Sequence, residues 1–240
     1  MSFSGPNLEE RGVSERSFAL EVSGRRVPGL LWTPSGATGP RPLVLIGHGG
    51  TSHKRSAYVL AMGRMLARRN GFAAVAIDQQ EHGERRTGSE GSSDAVRERL
   101  FDRTTIENAV EEWKATVDWL QKQDGVGVGP LGYWGWSMGT VFGIPLVATE
   151  PRIQVAVLGL AGSRLGRLMK HAPEITCPVL FCWQMEDELM TRESVLELFD
   201  ALGSRDKTLH ANPGPHVGAP RRQYEATVRF LGEHLAPSRA

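Results

Sequence analysis

The sequence predicts an α/β fold: a mostly parallel sheet with helices on both faces and an antiparallel hairpin at its N-terminal edge. Three observations carry this. Short, nearly continuous aliphatic runs recur along the chain, such as PLVLIGH (42–48), FAAVAID (72–78), IQVAVLGL (153–160) and CPVLFCW (177–183), and strands buried on both faces read this way. Stretches with apolar residues at helical spacing separate the runs. The alternation is the order that strand–helix–strand crossovers require.

Each element has its own signal. RSFALEV (16–22) and VPGLLW (27–32) read as strands turning at Gly24, and PLVLIGH follows a Gly-Pro-rich loop. Tyr58, Met62, Met65 and Leu66 recur at helical spacing, with Asn70-Gly71 as the stop before FAAVAID. Residues 79–103 are polar, charged and glycine-bearing, and read as a loop with short helices. Ile106, Ala109, Val110, Trp113, Val117 and Leu120 make one stripe on a long helix. PLGYWGW (130–136) is a strand, and TVFGIPLVA (140–148) a helix that Pro145 is expected to kink or end early. After IQVAVLGL, residues 161–176 read as irregular. Beyond CPVLFCW, Thr191 is the N-cap of a helix carrying Val195, Leu198, Phe199 and Leu202, stopped by Gly203. KTLHA (207–211) is the last strand, and Tyr224, Val228, Leu231 and Leu235 mark a closing helix.

The 240 residues are 40% hydrophobic and 23% charged, ordinary for a globular protein. The length suits one domain over residues 1–240, with 1–15 as an N-terminal extension and 79–103 as a candidate small cap or loop. A formal net charge of +1 gives no reason to expect nucleic acid or an anionic membrane as partner. No apolar run approaches the ~20 residues a membrane span needs, and MSFSGPNLEERG has no signal-peptide pattern. Cys177 and Cys182 lie five apart in a strand-like run, on opposite faces and ~17 Å from each other, too far for a disulfide. Free thiols suit a cytoplasmic location.

Ligands in such sheets bind beyond the carboxyl ends of the strands, so the chemistry is sought there. Ser137 sits in GWSMG (135–139), directly after one strand and opening a helix. That strand–turn–helix setting gives the Gly-x-Ser-x-Gly pattern its meaning, since it raises the hydroxyl above the sheet as a nucleophile. A serine hydroxyl needs a base. Among seven histidines, His216 in NPGPHVGAP follows the last strand in a Gly/Pro loop suited to this role, whereas His210 and His234 read as packing residues. A carboxylate must orient the imidazole. WQMEDELM (183–190) offers Glu186, Asp187 and Glu188 between nucleophile and base in chain order, and Asp187 is preferred over Glu186.

GHGG (47–50), GWSMG, EDELM (186–190) and GPHVG (214–218), in this order, resemble the signature places of the α/β-hydrolase superfamily over residues 16–236. DQQEHGERR (78–86) and VDWLQKQ (117–123) resemble its dienelactone-hydrolase-like branch. Enzymes named for that branch carry a cysteine nucleophile. Ser137 departs from them and brings the chain nearer the branch's serine esterases.

The resemblance implies an oxyanion hole from the amides of Gly50 and Met138, with His48 ordering its loop; two N–H groups must face the oxygen that becomes negative. TSHKR (51–55) and GERR (83–86) place His53, Arg85 and Arg86 as candidate contacts to a substrate anion, against the usual role of such runs as solvated surface. His82-Gly83 shapes a turn. Trp136 and Trp183 are candidates for lining an acyl or alcohol pocket or for core packing.

The expectation is a serine hydrolase that cleaves a small-molecule carboxylic ester through an acyl-enzyme, with no metal or organic cofactor. Thioesters, lactones and small amides or peptides use the same machinery, and a non-catalytic binding module of this fold is the alternative from another class. The acyl and alcohol groups and the oligomeric state are not legible in the sequence.

Overall fold

The structure, a computed structural model, describes residues 2–87, 102–164 and 166–235. The chain divides into two compact units, residues 1–129 and 130–240.

In the first unit, β1 (Ser2–Glu10), β2 (Val13–Val22) and β3 (Arg25–Pro34) form an antiparallel meander. β3 pairs antiparallel with β5 (Ala73–Ile77), and β5 parallel with β4 (Leu43–Gly47). All five residues of β4 and of β5 are buried, as their aliphatic runs demand. Within the N-terminal extension read over 1–15 lie β1 and the start of β2. β1 escaped notice because it is exposed almost throughout and has no apolar alternation; its partner β2, not a hydrophobic face, makes it a strand.

The helix α1 (Ala57–Met65) continues into a wide turn over Leu66–Asn70, and Gly71 ends it at φ 70°, the left-handed conformation glycine adopts freely. A short 3₁₀ turn spans Gly83–Arg85. The cap expected from 79–103 falls largely on 88–101, outside the described residues. α2 (Arg103–Leu120) starts at Asp102, whose carboxylate accepts the Thr105 N–H at 2.7 Å. Trp119 of α2 lays its ring 5.0 Å from Phe18 of β2.

In the second unit β6 (Leu131–Gly135), β7 (Ile153–Gly159), β8 (Val179–Gln184) and β9 (Lys207–Asn212) are parallel neighbours in that order. The connections are α3 (Met138–Thr149), α4 (Gly166–His171) with a 3₁₀ turn over Ala172–Glu174, and α5 (Arg192–Ala201); α6 (Arg221–Leu235) closes the chain. One expectation is corrected, and of the two outcomes expected at Pro145 the early end is not seen. Residues 161–176, read as irregular, contain α4; six residues are too few to display a period. α3 is neither ended nor shortened at Pro145 but runs on to Thr149. Proline in a helix interior costs about 3 kcal/mol, and here all ten residues from Met138 to Val147 are buried, which offsets that cost.

Candidate active site

Ser137 lies between β6 and α3 with φ 57° and ψ −122°. A left-handed φ is strained for a residue with a side chain and persists only where the surroundings over-determine it. The Ser137 N–H donates to Gly159 O (2.9 Å), and the Thr140 and Val141 N–H groups donate to Ser137 O (2.8 and 3.2 Å). The Thr140 hydroxyl accepts from the Gly159 N–H (2.8 Å) and lies 2.8 Å from Gly135 O and 2.6 Å from Gly159 O, tying the end of β6 to the end of β7. A Cβ on Gly135 would stand 2.7 Å from Gly139 O and 2.8 Å from the Tyr133 hydroxyl, so only glycine admits this approach of strand to helix. The Tyr133 hydroxyl donates to that same Gly139 O at 2.6 Å.

Three residues singled out in the sequence come together here. His216 Nε2 lies 2.9 Å from Ser137 Oγ, and His216 Nδ1 lies 2.7 Å from Asp187 Oδ2. The Asp187 side chain is fully buried, and its other oxygen accepts the Leu189 and Met190 N–H groups at 2.8 and 3.1 Å. Facing a carboxylate, Nδ1 carries the proton. The Nε2 lone pair is then left to accept from the serine hydroxyl.

The neighbouring acids behave differently. Glu188 accepts the His216 backbone N–H at 3.0 Å, and this bond holds its carboxyl below the usual range. The Glu186 side chain is exposed. Beneath the loop, Gln184 Nε2 reaches Pro213 O (3.3 Å) and Pro215 O (3.4 Å), the residues leading into His216. The sequence reading missed both supports, since neither a loop acid nor a strand glutamine has a distinctive pattern.

The other histidines are engaged elsewhere. His210 Nδ1 faces Gln223 Oε1 at 3.1 Å, and His234 Nδ1 donates to Phe230 O at 2.9 Å. Trp136 and Trp183 are both buried. Trp136 packs edge-on against Trp134 and Tyr224 with centroids 5.1 Å away in each case, and the Arg192 guanidinium stands 5.7 Å over Trp183.

Within the first unit, GHGG follows β4. His48 is fully buried; its Nε2 accepts the Gln79 N–H at 3.1 Å, so Nδ1 holds the proton and donates to Gly49 O at 2.9 Å. Burial, with a smaller push from His82, lowers the His48 pKa to about 4. The N–H of Gly50 has no hydrogen-bond partner among the described residues, nor does that of Met138 at the start of α3. Lys54, in the run read as a possible anion contact, is buried and bonded to Asp78 and Glu84, each at 2.6 Å. Burial alone would raise the Asp78 carboxyl. Hydrogen bonds from Lys54 Nζ, the Lys54 N–H and the Glu84 N–H outweigh it and hold Asp78 low. Arg85 is likewise committed, with both terminal nitrogens on the buried Glu112 at 2.7 and 2.9 Å. His53 and Arg86 are exposed.

Strand order, elbow and the hydrogen-bonded Ser–His–Asp line define an α/β-hydrolase. The dienelactone hydrolase family profile matches residues 27–213, and the chain belongs to that family. It resembles a cold-adapted esterase from an Arctic intertidal metagenomic library, solved as a PEG-bound complex, with 39% identity, a TM-score of 0.88, and coverage of 98% of this chain and 100% of that one. An acetyl xylan esterase from Paenibacillus sp. R4 shares the fold at 16% identity and a TM-score of 0.77, covering 98% of this chain and 88% of that one. So does Est1E from Butyrivibrio proteoclasticus, solved with ferulic acid, at 18% identity and a TM-score of 0.72, covering 92% of this chain and 100% of that one. No curated protein sequence matches the chain. By family and fold the chain is a hydrolase of the esterase type. Among the described residues no helix is long and apolar enough to cross a membrane, and no group of histidine, cysteine and acidic side chains could hold a metal.

Proposed function

We propose that this protein hydrolyses small-molecule carboxylic esters through an acyl-enzyme formed on Ser137. His216 Nε2 takes the hydroxyl proton as Oγ attacks the ester carbonyl carbon. The tetrahedral intermediate collapses, the carbonyl re-forms, and His216 passes the proton to the departing alkoxide. Water then adds to the acyl-enzyme with His216 again as base, releasing the acid and restoring the serine. Asp187 keeps the proton on Nδ1 and stabilises the transient imidazolium. The Gly50 and Met138 amides receive the oxyanion. Trp136, next to the nucleophile, and Trp183 border the acyl or alcohol group. The reaction needs no cofactor, and the whole chain 1–240 acts as one catalytic domain in the cytoplasm.

The observation that carries this reading is the continuous line Ser137–His216–Asp187, with bonds of 2.9 and 2.7 Å, set on a strained elbow. The 39%-identical esterase supports the ester as substrate. The test is covalent labelling by a fluorophosphonate together with turnover of ester, thioester and anilide substrates of graded chain length. Labelling at Ser137 alone and preference for esters are expected. Labelling elsewhere, with activity retained in Ser137→Ala, overturns the assignment.

A further inference from the structure

The loop after β4 is pinned around its two glycines by several hydrogen bonds. The Gly49 N–H donates to the Tyr58 hydroxyl at 2.7 Å. Gly49 O accepts from the Ser52 N–H at 3.1 Å and from His48 Nδ1 at 2.9 Å. Gly50 O lies 2.6 Å from His82 Nε2. The Gly50 N–H, by contrast, has no partner among the described residues. Gly49 O and the Gly50 N–H belong to one peptide, and Gly50 O to the next. Glycine leaves both torsions between them soft, so the direction of the free N–H depends on both peptides being held.

His82 holds the second of them. Its ring is buried, stands 5.2 Å from that of His48, and is the side chain through which residues 79–87 reach Gly50. Nδ1 faces Gln80 O at 2.7 Å. A neutral ring donates to one of the two carbonyls and the imidazolium to both. We infer that His82 is a positioning residue for the oxyanion hole: by donating Nε2–H to Gly50 O it fixes the peptide beyond Gly50 and so aims the Gly50 N–H. The inference rests on the reading of Gly50 as an oxyanion donor.

The side-chain amide of glutamine superposes on the Nε2 end of histidine and that of asparagine on the Nδ1 end. His82→Gln can therefore still donate to Gly50 O, whereas His82→Asn and His82→Phe cannot. The measurements are kcat and KM on a short-chain aryl ester, the inhibition constant of a trifluoromethyl ketone, whose hemiketal carries the oxyanion, and the thermal midpoint, with kinetics well below that midpoint. A lost oxyanion donor costs about 10²–10³ in kcat. A misaimed one is expected to cost roughly 10–100-fold in the Asn and Phe variants, with KM within about threefold and ketone affinity weakened by the same factor. His82→Gln should stay within about threefold of wild type in all three. A folded His82→Asn with wild-type kcat and ketone affinity, whatever its thermal midpoint, overturns the inference. So does a His82→Gln impaired as far as His82→Asn. Failure of the ester-hydrolase reading has its own mark, a wild type without Ser137-dependent turnover or ketone inhibition, and it overturns both.

Discussion

Residues 1–129 and residues 130–240 both gather polar side chains at the carboxyl ends of their strands, but they treat charge in opposite ways. In the first unit Lys54, Asp78 and Glu112 are buried ions, each locked by at least two partners. An ion removed from water must be paired to remain charged, and such groups are held still. In the second unit Ser137, His216 and Asp187 form a single file of hydrogen bonds. Asp187 Oδ1 is occupied by two backbone N–H groups, Oδ2 by His216, and only Nε2 faces the hydroxyl. One arrangement freezes loops, and the other, in the proposed mechanism, leaves one proton free to move. Lys54 and Arg85 look like ligands for a substrate anion in the sequence and belong to the frozen kind.

Four experiments would break or sharpen this contrast. The largest effect is expected at Ser137. Ser137→Ala should lower kcat by about 10⁴–10⁶ with an unchanged thermal midpoint, read by ester turnover and loss of fluorophosphonate labelling. Retained turnover would end the single-file description.

Next comes the proposed orienting carboxylate. Asp187→Asn should lower kcat by about 10⁴, whereas Glu186→Gln, an exposed change, should leave turnover near wild type. Equal damage from the two would mean that the acidic loop acts through its net charge and not through one oxygen.

The third concerns the frozen kind. Asp78→Asn leaves a buried ammonium short of one of its two charged partners and should destabilise the fold by about 3–5 kcal/mol, measured by urea unfolding at neutral pH. A loss below 1 kcal/mol (about fivefold in the unfolding constant) would show that Glu84 suffices for Lys54.

The smallest effect is a pH dependence. His48 has a folded pKa of about 4, lowered first by burial, against about 6.5 unfolded. Below pH ~6.5 the unfolded chain binds a proton that the folded chain refuses. The His48 contribution is therefore complete above ~6.5 and falls by about 3 kcal/mol as the pH drops to ~4. Asp78 and Glu84 are held low mainly by hydrogen bonds from Lys54, and Glu84 also by Arg26. Their stabilising contribution is present above the ordinary carboxylate range and is lost as the pH falls through their folded values, below most of the His48 window. His48→Gln keeps an acceptor for the Gln79 N–H and should flatten the slope of unfolding free energy between pH 6.5 and 4.5. An unchanged slope would show that another group carries it.

What the sequence determined by itself was whatever depends on short-range pattern. Aliphatic runs bounded by Gly and Pro mark β4 through β8, because strands buried on both faces admit little else. The strand–Gly-x-Ser-x-Gly–helix order marks Ser137, because a side chain at Gly135 would block so tight a turn, as the Gly139 carbonyl 2.7 Å from a Cβ there makes plain. Chain order was enough to propose Asp187, and the Gly/Pro loop after the last strand to propose His216. The tertiary structure decided the rest. β1 is a strand through its partner, not its own residues. α3 runs through Pro145 because burial outweighs one missing backbone bond. Among three adjacent acids, Asp187 takes the imidazole ring, Glu188 the His216 backbone, and Glu186 solvent. Lys54 and Arg85 are occupied by Asp78 and Glu112, which lie 24 and 27 residues away. A charge near a strand end reads the same in the sequence whether it awaits a ligand or already has a buried partner. The partner comes from a distant part of the chain, and only folding brings it within hydrogen-bonding reach.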